Sequence, residues 1–198
     1  TLAHGRVGVI GGGNSALDAA RVAFRQPGVE SVTVFYRRTE AEMPAYAEEI
    51  DAALAEGIRM VYQASPKEII LEKGKITGLL SIRTTLGVPD ASGSRRPVPV
   101  EGSDFRMEAD TVIAAVGQRP DPSFRAGAQG LEWTPGGTIR VDPFTLETSR
   151  KGVFAGGDVQ TGPQTVIEAI AAGQRAASSI KRFLQGKELQ PLVERNGH

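Results

Sequence analysis

The chain has 198 residues, with 23 Lys+Arg against 23 Asp+Glu for a formal net charge of zero, and 40% hydrophobic residues. That balance gives nucleic acid or an acidic membrane no electrostatic grip, and the apolar content is that of a globular chain of one large domain or two small ones. Cysteine is absent and the two histidines, His4 and His198, lie at the ends. This excludes disulfides, thiolate or iron–sulfur ligation and thiol catalysis within the chain, and speaks against a histidine triad or zinc site.

Arg6-Val7-Gly8-Val9-Ile10 is a short β-branched run that stops at Gly11-Gly12-Gly13, and it reads as a buried strand entering a tight turn. Over residues 15–26, Ala16, Ala19, Ala20, Ala23 and Phe24 recur at helical spacing before Pro27-Gly28 ends the helix. Residues 32–36 give a second strand. The resulting β-α-β unit has a right-handed crossover and parallel strands. Residues 40–56 read as a helical stretch broken near Pro44, with Tyr46, Ile50, Ala53 and Leu54 as its apolar stripe and Gly57 as its stop. Strands are expected at 59–63, 67–71 and 75–85 as a β-meander, the last two joined by a hairpin turn at Glu72-Lys73-Gly74. Residues 87–104, rich in Gly, Pro and Ser, read as an exposed tip or loop. Residues 110–117 form another buried strand, and a domain boundary follows at the crossing segment 118–122. Short strands are expected around 138–141 and 152–155, then a long helix over about 164–184 and a polar tail.

Gly11-Gly12-Gly13-Asn14-Ser15-Ala16 fits G-x-G-x-x-G/A between a strand and a helix, where a dinucleotide-binding turn belongs. Gly11 permits the turn, Gly13 lets a pyrophosphate approach the backbone, and Ala16 keeps helix and strand close. The helix N-terminus then offers free N–H groups and partial positive charge to the phosphates. The second strand ends in Arg37-Arg38 rather than an acid. Two guanidinium groups suit an anionic ribose 2′-phosphate, which favours NADP(H) over NAD(H). Glu30 is expected to precede that strand and to point away from the ribose. In Gly152-Val153-Phe154-Ala155-Gly156-Gly157-Asp158, an apolar strand delivers an Asp to the start of a helix, a placement that can hold a cofactor polyol. Bland alternatives stand beside each reading: a ligand-free glycine turn, a solvated arginine pair, and an Asp158 that only caps its own helix.

These residues carry a resemblance. The run Val9 to Ala20, Tyr36-Arg37-Arg38 with Glu42-Met43-Pro44-Ala45, Ala114-Ala115-Val116-Gly117-Gln118-Arg119-Pro120-Asp121, and Gly152 to Ile170 occur in the order seen in the glutamate synthase small-subunit-like FAD-dependent pyridine nucleotide oxidoreductases. The resemblance covers nearly the whole chain. It implies an α/β fold: a Rossmann-like parallel sheet with a β-meander as the NADP(H) domain over 1–117, a C-terminal segment of an FAD domain over 118–185, and a tail at 186–198. It also implies cofactor contacts at Gly11, Gly12, Gly13, Asn14, Ser15, Ala16, Arg37, Arg38, Gly117, Gly157, Asp158, Thr165 and Val166. A full member carries an earlier glycine fingerprint for FAD, and often cysteine-bound clusters; this sequence holds neither, so its FAD site is only partly encoded. The missing N-terminal FAD portion or a partner subunit is expected to complete it, with an iron–sulfur protein as electron partner. Thioredoxin reductases differ in holding a redox cysteine pair in their NADPH domain.

The expected function is hydride transfer between NADP(H) and FAD, for which two rings must be positioned and no side chain has to take a proton. The alternative is an isolated, non-catalytic nucleotide-binding module. A dehydrogenase acting on its own substrate is the weaker third reading, for want of a well-placed Lys, Tyr or His. The absence of a leader-like N-terminus and of any long apolar run points to a cytoplasmic protein, and Thr1 at the start points to a processed or excised segment.

Overall fold

Val7 and Val9 are buried in β1 (Gly5–Ile10), the strand that organises the first half of the chain. Its neighbours are β2 (Val29–Tyr36), paired in parallel from Arg6↔Ser31 to Ile10↔Phe35, and β7 (Thr111–Ala114), paired from Val7↔Thr111 to Ile10↔Ala114. With β3 (Arg59–Tyr62) outside β2, the parallel sheet has the order β3-β2-β1-β7. Between β1 and β2 runs α1 (Asn14–Phe24), which buries Ala16, Leu17, Ala20 and Ala23. Three of these four are alanines, so the helix axis lies close to the sheet. Each larger apolar side chain in this layer contributes roughly 1.5 to 3 kcal/mol on burial. A 3-10 turn (Glu40–Glu42) and α2 (Ala47–Ala55) fill the connection from β2 to β3, and Pro44 separates them.

The computed structural model describes residues 2–90 and 93–189, and the chain divides into two compact units, Thr1–Gly117 and Gln118–His198. Unit 1 carries a second, antiparallel sheet of order β4-β5-β6, from β4 (Ala64–Glu72), β5 (Lys75–Pro89) and β6 (Arg95–Glu108). Lys73 and Gly74 turn the chain from β4 to β5 with positive φ at both positions (51° and 77°), the backbone that a tight two-residue hairpin demands. Phe35, Ala64 and Leu79 form a small core in which β2 of the parallel sheet meets β4 and β5 of the antiparallel one. At the opposite end of β1, Asp110 accepts hydrogen bonds from the backbone N–H, Nε and an Nη of Arg6 (2.8, 2.9 and 3.0 Å). This fork lowers the Asp110 carboxyl to about 2 and ties the start of β1 to the start of β7.

The segment 87–104, read from the sequence as a loop, belongs mostly to two long strands: β5 continues to Pro89 and β6 begins at Arg95. Pro97 and Pro99 disguise it. They are tolerated because β6 is an edge strand, whose outward backbone needs no donor.

In unit 2 the expected strands at 138–141 and 152–155 do not form ladders. Among the described residues they pair only through the isolated bridges Trp133↔Ile139, Val141↔Thr148 and Glu147↔Phe154. Asp142 accepts from the N–H groups of Phe144 and Thr145 in the turn that follows Val141. A short helix α3 (Asp158–Thr161) follows, and then α4 (Val166–Leu184), which starts two residues later than the expected helix. Ala172 and Ser179 of α4 are buried, and Gly156 is packed so closely that an added Cβ would lie 3.2 Å from the Ala172 Cβ. The tail expected over 186–198 lies mostly outside the described residues. Among those residues no helix is long and apolar enough to cross a membrane, and no group of three or more His, Asp or Glu could hold a metal ion.

Candidate dinucleotide site

From β1 the chain passes to β2 on one side and returns later to β7 on the other, so the C-terminal end of β1 is the topological switch point at which open α/β sheets receive ligands. The glycine turn occupies this position. Gly11 has φ of +146°, and a Cβ there would lie 2.3 Å from the Ala115 carbonyl oxygen and 3.1 Å from the Ala16 Cβ. A Cβ on Gly12 would enter the Tyr36 ring at 2.3 Å. Gly13 is different: the nearest atom to its Cβ position is Pro44 Cγ at 4.0 Å, so nothing within the chain demands glycine there. Two glycines serve packing, and the third leaves room.

Gly13 is the N-cap of α1 but supplies no side-chain cap, and the first turn of the helix has no acidic residue. The Gly13 carbonyl accepts from the N–H groups of Ala16 and Leu17 (2.9 and 3.3 Å). The N–H groups of Asn14 and Ser15, in the first turn of α1, have no carbonyl within the helix to bond and lie at the positive end of the helix dipole. A strap from the 3-10 turn to α2 closes over this turn. In it the Ala45 N–H donates to the Gly12 carbonyl (3.2 Å), the Tyr46 N–H donates to Asn14 Oδ1 (2.9 Å), and the Tyr36 hydroxyl donates to the Glu42 carbonyl. Asn14, expected to line a pyrophosphate, therefore commits its carbonyl oxygen to holding the strap. Ser15 is exposed. Neither the Asn14 clasp nor the packing of Tyr36 on Gly12 was visible in the sequence, since both join residues that no local pattern links.

Arg37 and Arg38 leave the end of β2, Arg37 exposed and Arg38 half-buried. Arg38 Nε is buried without a hydrogen-bond partner among the described residues. A buried guanidinium N–H with no acceptor costs roughly 1 to 3 kcal/mol, and an incoming anion would relieve that cost. Burial raises the Tyr36 hydroxyl pKa above its ordinary value, and the two neighbouring arginine charges pull against that rise. Glu30 lies within β2, whose first residue is Val29, rather than before it; the positive-φ turn at Gly28 releases the chain into the strand earlier than expected. It is exposed at the opposite end of the strand from Arg37.

Of the remaining expected contacts, Gly117 is exposed with φ of +85°, and nothing lies within 4 Å of its Cβ position. In unit 2, Gly157 takes φ of +75° ahead of α3, and Asp158 Oδ1 accepts weakly from the Gln164 N–H (3.4 Å). Thr165 caps α4: its hydroxyl accepts from the Glu168 N–H (3.3 Å), while its own N–H donates to the Glu168 carboxylate (2.8 Å). The Thr165 N–H and hydroxyl, both donating to the carboxylate, hold the Glu168 carboxyl below its usual range. Val166 follows, 75% exposed.

Residues 2–173 match the family model described as pyridine nucleotide-disulphide oxidoreductase. The chain belongs to this family. It is 49% identical over 188 residues to the NADP(+)-dependent formate dehydrogenase subunit beta of Moorella thermoacetica, covering 95% of this chain and 26% of that protein. With the glutamate synthase [NADPH] small chain of Azospirillum brasilense it shares 38% identity over 186 residues, covering 93% of this chain and 38% of that protein. Among solved structures, T. acidophilum thioredoxin reductase superposes with a TM-score of 0.73 at 26% identity, covering 91% of this chain and 53% of the other. The chain thus spans only about a quarter to two fifths of the length of these two curated oxidoreductase subunits. The parallel sheet with its companion antiparallel sheet is the family's Rossmann-like α/β architecture.

Proposed function

We propose that unit 1 binds NADP(H), with the diphosphate against the N–H groups of Asn14 and Ser15 and the 2′-phosphate between Arg37 and Arg38. The observation that carries this reading is the pairing of an uncapped helix N-terminus beside Gly13 with a buried Arg38 Nε, without a partner among the described residues, at the end of the adjacent strand. The first asks for a diphosphate, and the second for a further anion on the ribose side. NADP or NADPH in the names of the two curated relatives supports the same choice.

Unit 2 supplies part of an FAD site through Gly157, Asp158, Thr165 and Val166. When bound, the flavin would supply two-electron acceptor chemistry; the chain's own residues would bind and orient it, with the Thr165–Glu168 capping box holding the start of α4 in place. At the start of α4, Val166, Ile167 and Ile170 are 75%, 78% and 56% exposed. This apolar surface supports the reading that further protein, as a missing FAD-domain portion or a partner subunit, completes the unit. The whole protein then moves hydride between NADP(H) and FAD in the cytoplasm, and exchanges electrons with an iron–sulfur partner or subunit.

Calorimetric titration of the full chain with NADPH and NADH tests the nucleotide assignment. NADPH is expected to bind at least about tenfold more tightly, the scale of one charge-assisted hydrogen bond. Equal affinities would overturn it.

A further inference from the structure

Arg37 and Arg38 lie beyond the last residue of β2, so no ladder holds their backbone. Two hydrogen bonds, from Thr84 of β5 and from Gln63 at the β3–β4 joint, do so instead, and a third links Gln63 to Thr84. The Thr84 hydroxyl donates to the Arg37 carbonyl (2.7 Å), the Gln63 N–H donates to the Arg38 carbonyl (3.0 Å), and the Thr84 N–H donates to the Gln63 carbonyl (2.8 Å). The links form one bridge from the end of β2 through the β3–β4 joint to β5. Thr84 is free to enter it because the β4–β5 ladder ends at Ala64↔Arg83 and the β5–β6 register breaks between Ile82 and Thr84. Gln63 enters it at φ of +51°, a left-handed conformation rare for a residue with a side chain. Thr84 itself is only 5% exposed.

Resting on the NADP(H) reading, we infer that Thr84 is a positioning residue for coenzyme choice: its hydroxyl fixes the Arg37 backbone so that the guanidinium pair is preset for a 2′-phosphate. The hydroxyl touches no ligand. Its effect falls on the phosphorylated coenzyme because that nucleotide alone engages the pair. Pre-organised donors lose less freedom on binding, so releasing the carbonyl weakens NADPH selectively.

The test is calorimetric titration of the full chain and its variants with NADPH and with NADH. Thr84→Val keeps the side-chain shape without the donor. It is expected to weaken NADPH about three- to tenfold, the scale of one neutral hydrogen bond, and to leave NADH within about twofold. Thr84→Ser, which restores the hydroxyl, is expected to keep the preference of the unaltered chain; Thr84→Ala gives a second hydroxyl-free reading if the valine variant unfolds. Equal weakening of both nucleotides, no weakening, or loss of preference in Thr84→Ser would overturn the inference. Arg37→Ala, run alongside, separates the failures. If it erases the preference while Thr84→Val leaves the NADPH affinity unchanged, the positioning role falls and the NADP(H) reading stands. If the unaltered chain shows no preference, or Arg37→Ala leaves it intact, the underlying reading falls and takes the inference with it.

Discussion

Gly11→Ala is expected to destabilise unit 1 by about 2 to 4 kcal/mol, because the new Cβ would sit 2.3 Å from the Ala115 carbonyl oxygen and 3.1 Å from the Ala16 Cβ. Neither neighbour can yield cheaply: one is backbone following β7, and the other is the small residue on which α1 seats against the sheet. At a φ of +146°, the backbone is also one that a side chain rarely adopts. Thermal unfolding is the measurement, with a fall of roughly 10 to 20 °C expected for a unit of this size. Gly13→Ala is the control. It carries an ordinary φ of −93° and has only Pro44 within reach at 4.0 Å, so its melting temperature should move little. A large loss of stability at Gly13, or none at Gly11, would contradict this division of labour within the turn.

Arg38→Ala and Arg37→Ala are each expected to weaken NADPH by about 1.5 to 3 kcal/mol, or roughly ten- to 150-fold, while NADH changes little. The asymmetry follows from chemistry. A 2′-phosphate offers several anionic oxygens to a guanidinium fork, whereas a 2′-hydroxyl offers a single weak acceptor. Arg38→Ala also removes a buried Nε that lacks a partner among the described residues, so its stability cost should be small or favourable. Titration calorimetry reads the affinities and thermal unfolding the stability. Equal loss of both nucleotides would move the arginines away from the ribose.

The first half of the fold was legible because its periodicities change sharply. The β-branched run into Gly11-Gly12-Gly13 and the alanine face of α1 state a strand and a close-packed helix without reference to anything distant. Lys73-Gly74 announced its hairpin in the same local manner. Local reading failed where pairing partners decide. Pro97 and Pro99 looked like loop residues because the sequence does not say that β6 is an edge. The segments around Ile139 and Phe154 looked like strands because their composition does not report that only single bridges are available. Helix α3, at four residues, is too short to show a period.

The candidate site divides along the same line. The glycine turn and the arginine pair lie in contiguous sequence and could be proposed from it. The parts that hold them still could not: Thr84 is 47 residues from Arg37, and the Tyr46 clasp on Asn14 spans 32. Even Asn14, a candidate from the motif, acquires a different task once its side-chain oxygen is seen to accept from the Tyr46 backbone.

A crystal structure of the chain bound to NADP+ tests the central claim most directly. The account predicts the diphosphate within hydrogen-bond distance of the Asn14 and Ser15 N–H groups, and the 2′-phosphate against the guanidinium groups of Arg37 and Arg38. A diphosphate located anywhere else, or a 2′-phosphate directed into solvent away from both arginines, would contradict it.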